Sequence, residues 1–138
     1  MAFFTTRSQL THAGTMAMLT AAIAKAEEIG QPQCIVIVDA SGGLLGEIQM
    51  LGAKFLSRKS ALSKALTAAS IGAPSTKIPE AVRTNIGLAT GGTVTGLSGG
   101  LPIMIDGDLV GGIGVGSGSG DQDIAVAEAA LAAIGATR

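Results

Sequence analysis

The first half of the chain alternates between helical and extended patterns of apolar residues. Residues 11 to 29 predict a helix because apolar side chains recur at helical spacing, giving an inner face of Met16, Leu19, Ile23 and Ala26. Residues 33 to 39 form a continuous apolar run of strand length. After a turn that contains two glycines, residues 44 to 50 can return as the antiparallel partner. This region therefore predicts a helix followed by a β-hairpin.

A second helix is predicted over residues 53 to 71, where two different stripes run along the pattern. The apolar stripe, expected to be buried, consists of Phe55, Leu62, Leu66 and Ala69. The polar stripe consists of Ser57, Ser60, Lys64 and Thr67. Residues 79 to 83 begin with proline and suit the first turns of a short helix. Residues 86 to 100 lack a sustained period and predict a long ordered loop.

The last third of the chain predicts one more hairpin and one more helix. Residues 103 to 105 and 109 to 111 flank the dipeptide Asp106-Gly107, which is a strong two-residue hairpin signal. Residues 118 to 120 lead into the final helix, whose expected inner face is Ile124, Ala127, Leu131 and Ile134. Hairpins and helices in this order predict an α+β fold, an antiparallel sheet of about five strands flanked by helices. We expect one domain over residues 1 to 138.

Glycine is concentrated in one part of the chain. Thirteen of the 21 glycines lie between residues 87 and 120, interleaved with apolar residues that have the alternation of strands. Because glycine costs conformational entropy on folding, such a stretch needs backbone where a Cβ atom would collide. Something must therefore lie close to this backbone, and the sequence leaves three choices open: a neighbouring helix, another subunit or a small ligand.

Composition narrows the class of protein. Hydrophobic residues make up 47% of the chain and charged residues only 14%, which favours a homo-oligomer over a small monomer. A formal net charge of −1 gives no basic field, so we expect no nucleic-acid partner. The sequence shows no apolar stretch typical of a signal peptide or membrane span, so we expect a cytoplasmic protein with no membrane partner. The single cysteine, Cys34, lies in an apolar run and is interpreted as a core residue.

Several residues are candidates for binding an anionic ligand. Backbone amides of Ser117, Gly118, Ser119 and Gly120 precede a helix and can hold a carboxylate, although these glycines also suit a tight connection. Lys64 on the polar stripe can bind a ligand or belong to a solvated face. Arg83 is either an anion clamp or a surface charge. Gly99 and Gly100, at the end of the long loop, complete the predicted pocket.

Metal and acid/base chemistry depend on few residues. His12 is the only histidine, so no zinc-type site is expected; it is either an axial ligand of haem iron or an exposed, uninvolved residue. Four methionines could ligate iron, but their apolar context favours a place in the core: Met16, Met18, Met50 and Met104. Asp39 and Asp121 are the candidate catalytic acid/base residues, and both lie where aspartate also has structural uses.

Four segments together resemble the GlcG/HbpS family over roughly residues 10 to 135. They are residues 35 to 45, residues 63 to 69, residues 99 to 115 with Gly99-Gly100-Leu101-Pro102-Ile103, and residues 121 to 127. The resemblance implies an antiparallel sheet flanked by helices, assembly into oligomers and, in some members, binding or degradation of haem. It also extends to the carboxy-terminal part of PduO-type proteins and to accessory proteins of catabolic or cobalamin-dependent enzymes.

Three functions remain open at this point. The first is a small-molecule-binding protein, with haem or a related tetrapyrrole as the ligand that the resemblance implies. Its pocket would be lined by the loop over residues 91 to 100, the polar stripe and residues 114 to 121. The second is an enzyme acting on a small carboxylated or carbonyl metabolite, and the third is a non-catalytic accessory subunit.

Overall fold

The computed structural model describes residues 1 to 137; Arg138, the last residue of the predicted domain, lies outside them. Within the described residues there are four α-helices, four β-strands and two short 3₁₀ turns, the latter at residues 75–77 and 80–82. In chain order they are α1 (His12–Glu28), β1 (Cys34–Asp39), β2 (Leu44–Gln49), α2 (Ser57–Ile71), α3 (Arg83–Ala89), β3 (Gly100–Ile105), β4 (Asp108–Gly116) and α4 (Gly120–Ala133).

The strands build one antiparallel sheet in the order β2-β1-β4-β3. Both predicted hairpins are present, and the second turns at Asp106-Gly107 with positive φ values of 49° and 82°, as a tight two-residue turn requires. The predicted α+β class is confirmed. Within residues 1 to 137 the sheet has four strands rather than about five, because the two hairpins supply all of them.

The two faces of the sheet are covered differently. Helices α1 and α4 pack on one face, where the core consists of large aliphatic side chains. These include Met18, Ile35, Ile37, Leu101, Ile103, Ile113, Val115, Val126 and Leu131. Helix α2 packs on the other face over a smaller cluster of Cys34, Val36, Val38, Ala61, Ala65 and Ala69.

The glycines of β4 bring α2 unusually close to the sheet. Gly112, Gly114 and Gly116 alternate along the strand and pair with Val38, Val36 and Cys34, so they lie on the α2 face. A Cβ atom on Gly112 would meet the carbonyl oxygen of Ala65, and one on Gly114 would meet that of Ala61. Of the three neighbours that the sequence allowed for this backbone, the structure places a helix there.

The predicted buried stripe of α2 is therefore wrong at Phe55 and Leu62, while Ala69 is buried as predicted. Phe55 and Leu62 are exposed and Leu66 is half-buried, whereas Ala61, Lys64 and Thr67 are buried. The helix begins at Ser57 rather than residue 53. A strand face without side chains accepts only a helix surface of small residues, because bulky ones would hold the two backbones apart. That surface coincides with much of the polar stripe.

Two smaller expectations also change. Met16 is exposed, because α1 turns Thr15, Met18, Ala22 and Ala26 inward while Leu19 and Ile23 pack at the edge of the core. Residues 86 to 89 belong to α3 rather than to a loop. Cys34 is buried as predicted, and burial raises the pKa of its thiol.

Candidate functional site

Lys64, the predicted ligand-binding cation, is buried inside the chain. Its Nζ atom donates hydrogen bonds to the carbonyl oxygen of Val115 at 2.8 Å and to Oδ2 of Asp123 at 3.0 Å. Both charged side chains are almost fully excluded from solvent. This ion pair ties the middle of α2 to the first turn of α4 across the end of β4. A ligand that used Lys64 would have to displace Asp123.

Two of the backbone amides that precede α4, those of Gly118 and Ser119, donate to side chains of this helix. Gly118 N donates to Oδ1 of Asp123 at 3.1 Å, so this carboxylate binds both Lys64 and the turn. Ser119 caps the helix: its hydroxyl accepts from Gln122 N, and its own amide donates to the Gln122 side chain. Gly120 is the first helical residue. Of the four amides that the sequence predicted to hold an anion, Gly118 N binds the chain's own Asp123 carboxylate and Ser119 N binds the Gln122 side chain.

The remaining predicted binding residues make contacts within the chain; they are Gly99, Gly100 and Arg83. Gly99 and Gly100 are buried, and a Cβ atom on Gly100 would meet the backbone carbonyl of Lys64. Arg83 donates from Nε to the carbonyl of Ile78 at 2.9 Å and from a terminal nitrogen to that of Thr76 at 3.0 Å. It therefore secures the segment between α2 and α3.

The two candidate catalytic carboxylates lie on different elements and are not joined to the predicted cations. Asp39 ends β1 and accepts hydrogen bonds from the amides of Gly43 and Ser41, both at 2.8 Å. These bonds hold the pKa of Asp39 below its usual value. Asp121 is exposed in the first turn of α4. The carboxylate paired with Lys64 is Asp123, two residues further along the same helix.

Sequence reasoning missed the role of Asp123. The available signal was its place in the first helical turn after a glycine-rich strand, together with the presence of Lys64 on the polar stripe of another predicted helix. The Ser75 hydroxyl was missed as well, whereas Thr67 belongs to the predicted polar stripe. Thr67 Oγ1 donates to Thr93 O and accepts from Thr95 N, and the Ser75 hydroxyl binds Leu97 O and Gly100 N, which fixes the loop before β3.

Surface cavities of about 510 to 540 Å³ lie outside this closed interior. One is a groove of about 530 Å³ between α1 and β2, which we call the α1–β2 groove. Its lining is mainly apolar and comprises Ile23, Ala26, Glu27, Gly30, Gln31, Pro32, Ile48, Gln49, Met50 and Leu51. A second cavity, of about 540 Å³, lies between α2 and Thr93 and Val94 of the predicted loop. A third, of about 510 Å³, surrounds Phe55 at the start of α2.

Iron-binding side chains distinguish these cavities. Met50 lines the α1–β2 groove, whereas the linings of the other two contain no histidine, methionine, cysteine or tyrosine among the described residues. His12 is exposed at the first residue of α1 and Met16 is exposed one turn later. Met18 is fully buried, and Met104 is half-buried in β3. Within the part of the chain that the structure describes, Glu27 is the only charged residue in the lining of the α1–β2 groove.

These features define a small α+β protein with a sealed interior and open apolar grooves on its surface. A family model described as haem-degrading protein HbpS-like matches residues 10–132, so the chain belongs to this family. The predicted resemblance to the GlcG/HbpS family is confirmed.

Solved structures agree over nearly the whole chain. A PduOC–haem complex is 28% identical with a TM-score of 0.87, covering 94% of this chain and 98% of the other. The Klebsiella pneumoniae protein ORFY is 27% identical with a TM-score of 0.93, covering 100% and 99%. A double mutant of Streptomyces reticuli HbpS is 32% identical with a TM-score of 0.83, covering 94% and 89%. None of the curated proteins matches this chain.

A helix needs about 20 consecutive, mainly apolar residues to span a lipid bilayer. Across residues 1 to 137, every helix is too short or too polar to span one.

Proposed function

We propose that this chain binds haem, or a related tetrapyrrole, in the α1–β2 groove. The observation that carries the proposal is the likeness to PduOC, which was solved as a haem complex and covers 94% of this chain. The groove supports it because its volume of about 530 Å³ lies in the usual range for small-molecule sites. The sealed Lys64 region does not offer comparable space.

The residues of the groove fit a tetrapyrrole. Ile23, Ile48 and Leu51 offer apolar surface to the macrocycle. Met50 carries a thioether sulfur, a group that ligates haem iron in proteins. Because Glu27 is the only charged residue among the described lining residues, the haem propionates would have to reach solvent rather than pair with a cation of the groove. Bound haem would supply the iron centre, and the apolar side chains of the groove would exclude water from it.

A haemin titration of matched variants tests the location. Ile48 in the groove and Ile71 at the end of α2 are both 39% exposed, so Ile48→Glu and Ile71→Glu introduce the same charge at equal exposure. We expect Ile48→Glu to raise the Kd for haemin by about tenfold or more, since it removes apolar contact and adds a negative charge beside the ring. Ile71→Glu should leave the Soret titration unchanged. A wild-type protein without a saturable, shifted Soret band would refute haem binding itself.

The iron ligand is tested separately. Met50→Leu keeps the apolar volume and removes the sulfur, so the Soret maximum should shift while most of the affinity remains. His12→Ala should change neither the spectrum nor the affinity. Loss of binding in His12→Ala, with Ile48→Glu binding normally, would move the site to the start of α1 and reject the groove.

The remaining expectations belong to the same proposal. We propose a homo-oligomer, which the low content of charged residues supports, and a cytoplasmic location, with which a free buried Cys34 is compatible. An enzyme that uses Asp39 or Asp121 with Lys64 or Arg83 is less well supported, since hydrogen bonds within the chain engage Asp39, Lys64 and Arg83.

A further inference from the structure

The start of α2 carries large apolar side chains in an exposed position. Phe55 is 67% exposed and Leu56 is 64% exposed, and Leu62 lies two turns along the helix. Together with the neighbouring charges Glu47, Arg58 and Lys59, these three residues form what we call the α2 tip surface. Helix α2 turns its small residues toward the sheet, so these apolar side chains have no place in the chain's own core.

The shape of the α2 tip surface combines projections with hollows. Phe55 and Leu56 line two cavities, one of about 510 Å³ and one of about 240 Å³. A surface that presents an exposed aromatic ring beside a hollow can accept the same ring from an identical surface. A two-fold interface has this requirement, because the same patch lies on both sides and must complement itself.

Charge on the α2 tip surface is also self-complementary. Glu47 on β2 lies with Arg58 and Lys59 around one cavity, so both signs of charge border the same apolar centre. A two-fold rotation can set the carboxylate of one copy against the cations of the other. A purely acidic partner would be repelled by Glu47, and a purely basic partner would be repelled by Arg58 and Lys59. The mixture favours a second copy over either of them.

We infer that a second copy of this chain packs on the α2 tip surface in a two-fold arrangement, with Phe55 near its centre. The inference rests on the proposed homo-oligomer and assigns the face that forms it. Apolar burial of Phe55, Leu56 and Leu62 supplies the association, since aromatic anchors dominate such interfaces. Glu47, Arg58 and Lys59 set the relative orientation of the two copies.

Molar mass in solution tests the face. Sedimentation or light scattering of the wild-type protein should give at least a dimer at micromolar concentration. Phe55→Asp should reduce the assembly mass by a factor of two or more. Leu88→Asp is the matched control, because Leu88 is 77% exposed on α3, outside the α2 tip surface, and should keep the wild-type mass. A monomeric wild-type protein, or an unchanged mass for Phe55→Asp, would overturn the inference.

A charge-exchange experiment separates contacts between copies from contacts within one. The double variant Arg58→Glu with Lys59→Glu leaves a wholly negative patch, and Glu47→Lys leaves a wholly positive one. Each variant alone should dissociate at least tenfold more readily, while an equimolar mixture should regain the wild-type mass. If each variant alone keeps the wild-type mass, or the mixture stays dissociated, the paired surface is a different one.

Haemin binding distinguishes this failure from failure of the proposed function. Because Phe55 does not line the α1–β2 groove, Phe55→Asp should keep a saturable Soret titration even when its mass falls. Ile48→Glu should show the reverse pattern, with weakened haemin binding and the wild-type mass. Both results together support two separate surfaces, and a Phe55→Asp protein that loses mass and haemin together would place haem at the α2 tip surface instead.

Discussion

The two faces of the sheet are built on opposite principles. On the α1/α4 face, large aliphatic side chains from both layers interdigitate, with Ile113 and Val115 of β4 among them. On the α2 face the same strand offers Gly112, Gly114 and Gly116, and the helix backbone rests almost directly on the strand backbone. Neighbouring residues of one strand therefore face a conventional core on one side and bare backbone on the other.

This difference shows where each face tolerates change. An aliphatic core adjusts to lost volume with a graded penalty, whereas two backbones in contact leave no atom free to move aside. Lys64 of α2 also reaches past the end of β4 to Asp123 of α4, and both charged side chains of this ion pair are almost fully excluded from solvent. We therefore expect the largest effects of substitution on the α2 face.

Breaking the buried ion pair should have the largest effect. Lys64→Met leaves the Asp123 carboxylate buried without its cation, which we expect to lower the free energy of unfolding by about 3–5 kcal/mol. Denaturant titration measures it. Lys25→Met is the control: Lys25 pairs with Glu28 at 3.3 Å in a partly exposed position, and its loss should cost less than about 1 kcal/mol.

A second substitution sharpens the interpretation of this result. Adding Asp123→Leu to Lys64→Met removes the unpaired charge and should recover much of the lost stability, because desolvated ion pairs contribute little net stability compared with apolar residues. If Lys64→Met alone is as stable as the wild-type protein, the α2 face admits water and the contrast between the faces is smaller than the geometry indicates.

A single methyl group on β4 should have the next largest effect. The Cβ atom in Gly114→Ala would contact the Ala61 carbonyl and lie 2.6 Å from Ala65 N, so α2 must shift; we expect a loss of about 3 kcal/mol. Gly87→Ala is the matched control, since its Cβ would meet its nearest neighbour, Val94 O, at 3.7 Å in a helix, where alanine is favoured. Equal melting temperatures for the two variants would contradict the close backbone contact.

The smallest effect is expected on the opposite face of the same strand. Ile113→Val removes one methylene from the aliphatic core, and we expect a loss of about 1 kcal/mol in denaturant titration. Ile71→Val, at an exposed position, should change stability by less than about 0.5 kcal/mol. A loss at Ile113 as large as that of Gly114→Ala would show that both faces are equally unable to relax.

Local patterns in the sequence were sufficient to predict much of the fold. Strand runs, the Asp106-Gly107 turn and the helix caps depend on neighbouring residues, so the α+β class and both hairpins followed from them. The helix over residues 12–28 was predicted to within one residue at each end. The prediction placed Met16 on the buried face of this helix, whereas its side chain is exposed. Helical spacing shows which residues share a face, but it does not show which face packs against the sheet and the other helices.

The candidate site depended more on tertiary contacts. Sequence alone required that something approach the glycine-rich backbone closely, and that requirement follows from the missing Cβ atoms. The packing of α2 on β4 decided that a helix, rather than a ligand or another subunit, lies against this backbone. The tertiary structure also buried Lys64 against Asp123. The physical reason is that a residue's chemistry is local, whereas its burial and its partner depend on segments far away in the chain: 59 residues separate Lys64 from the carboxylate that neutralises it.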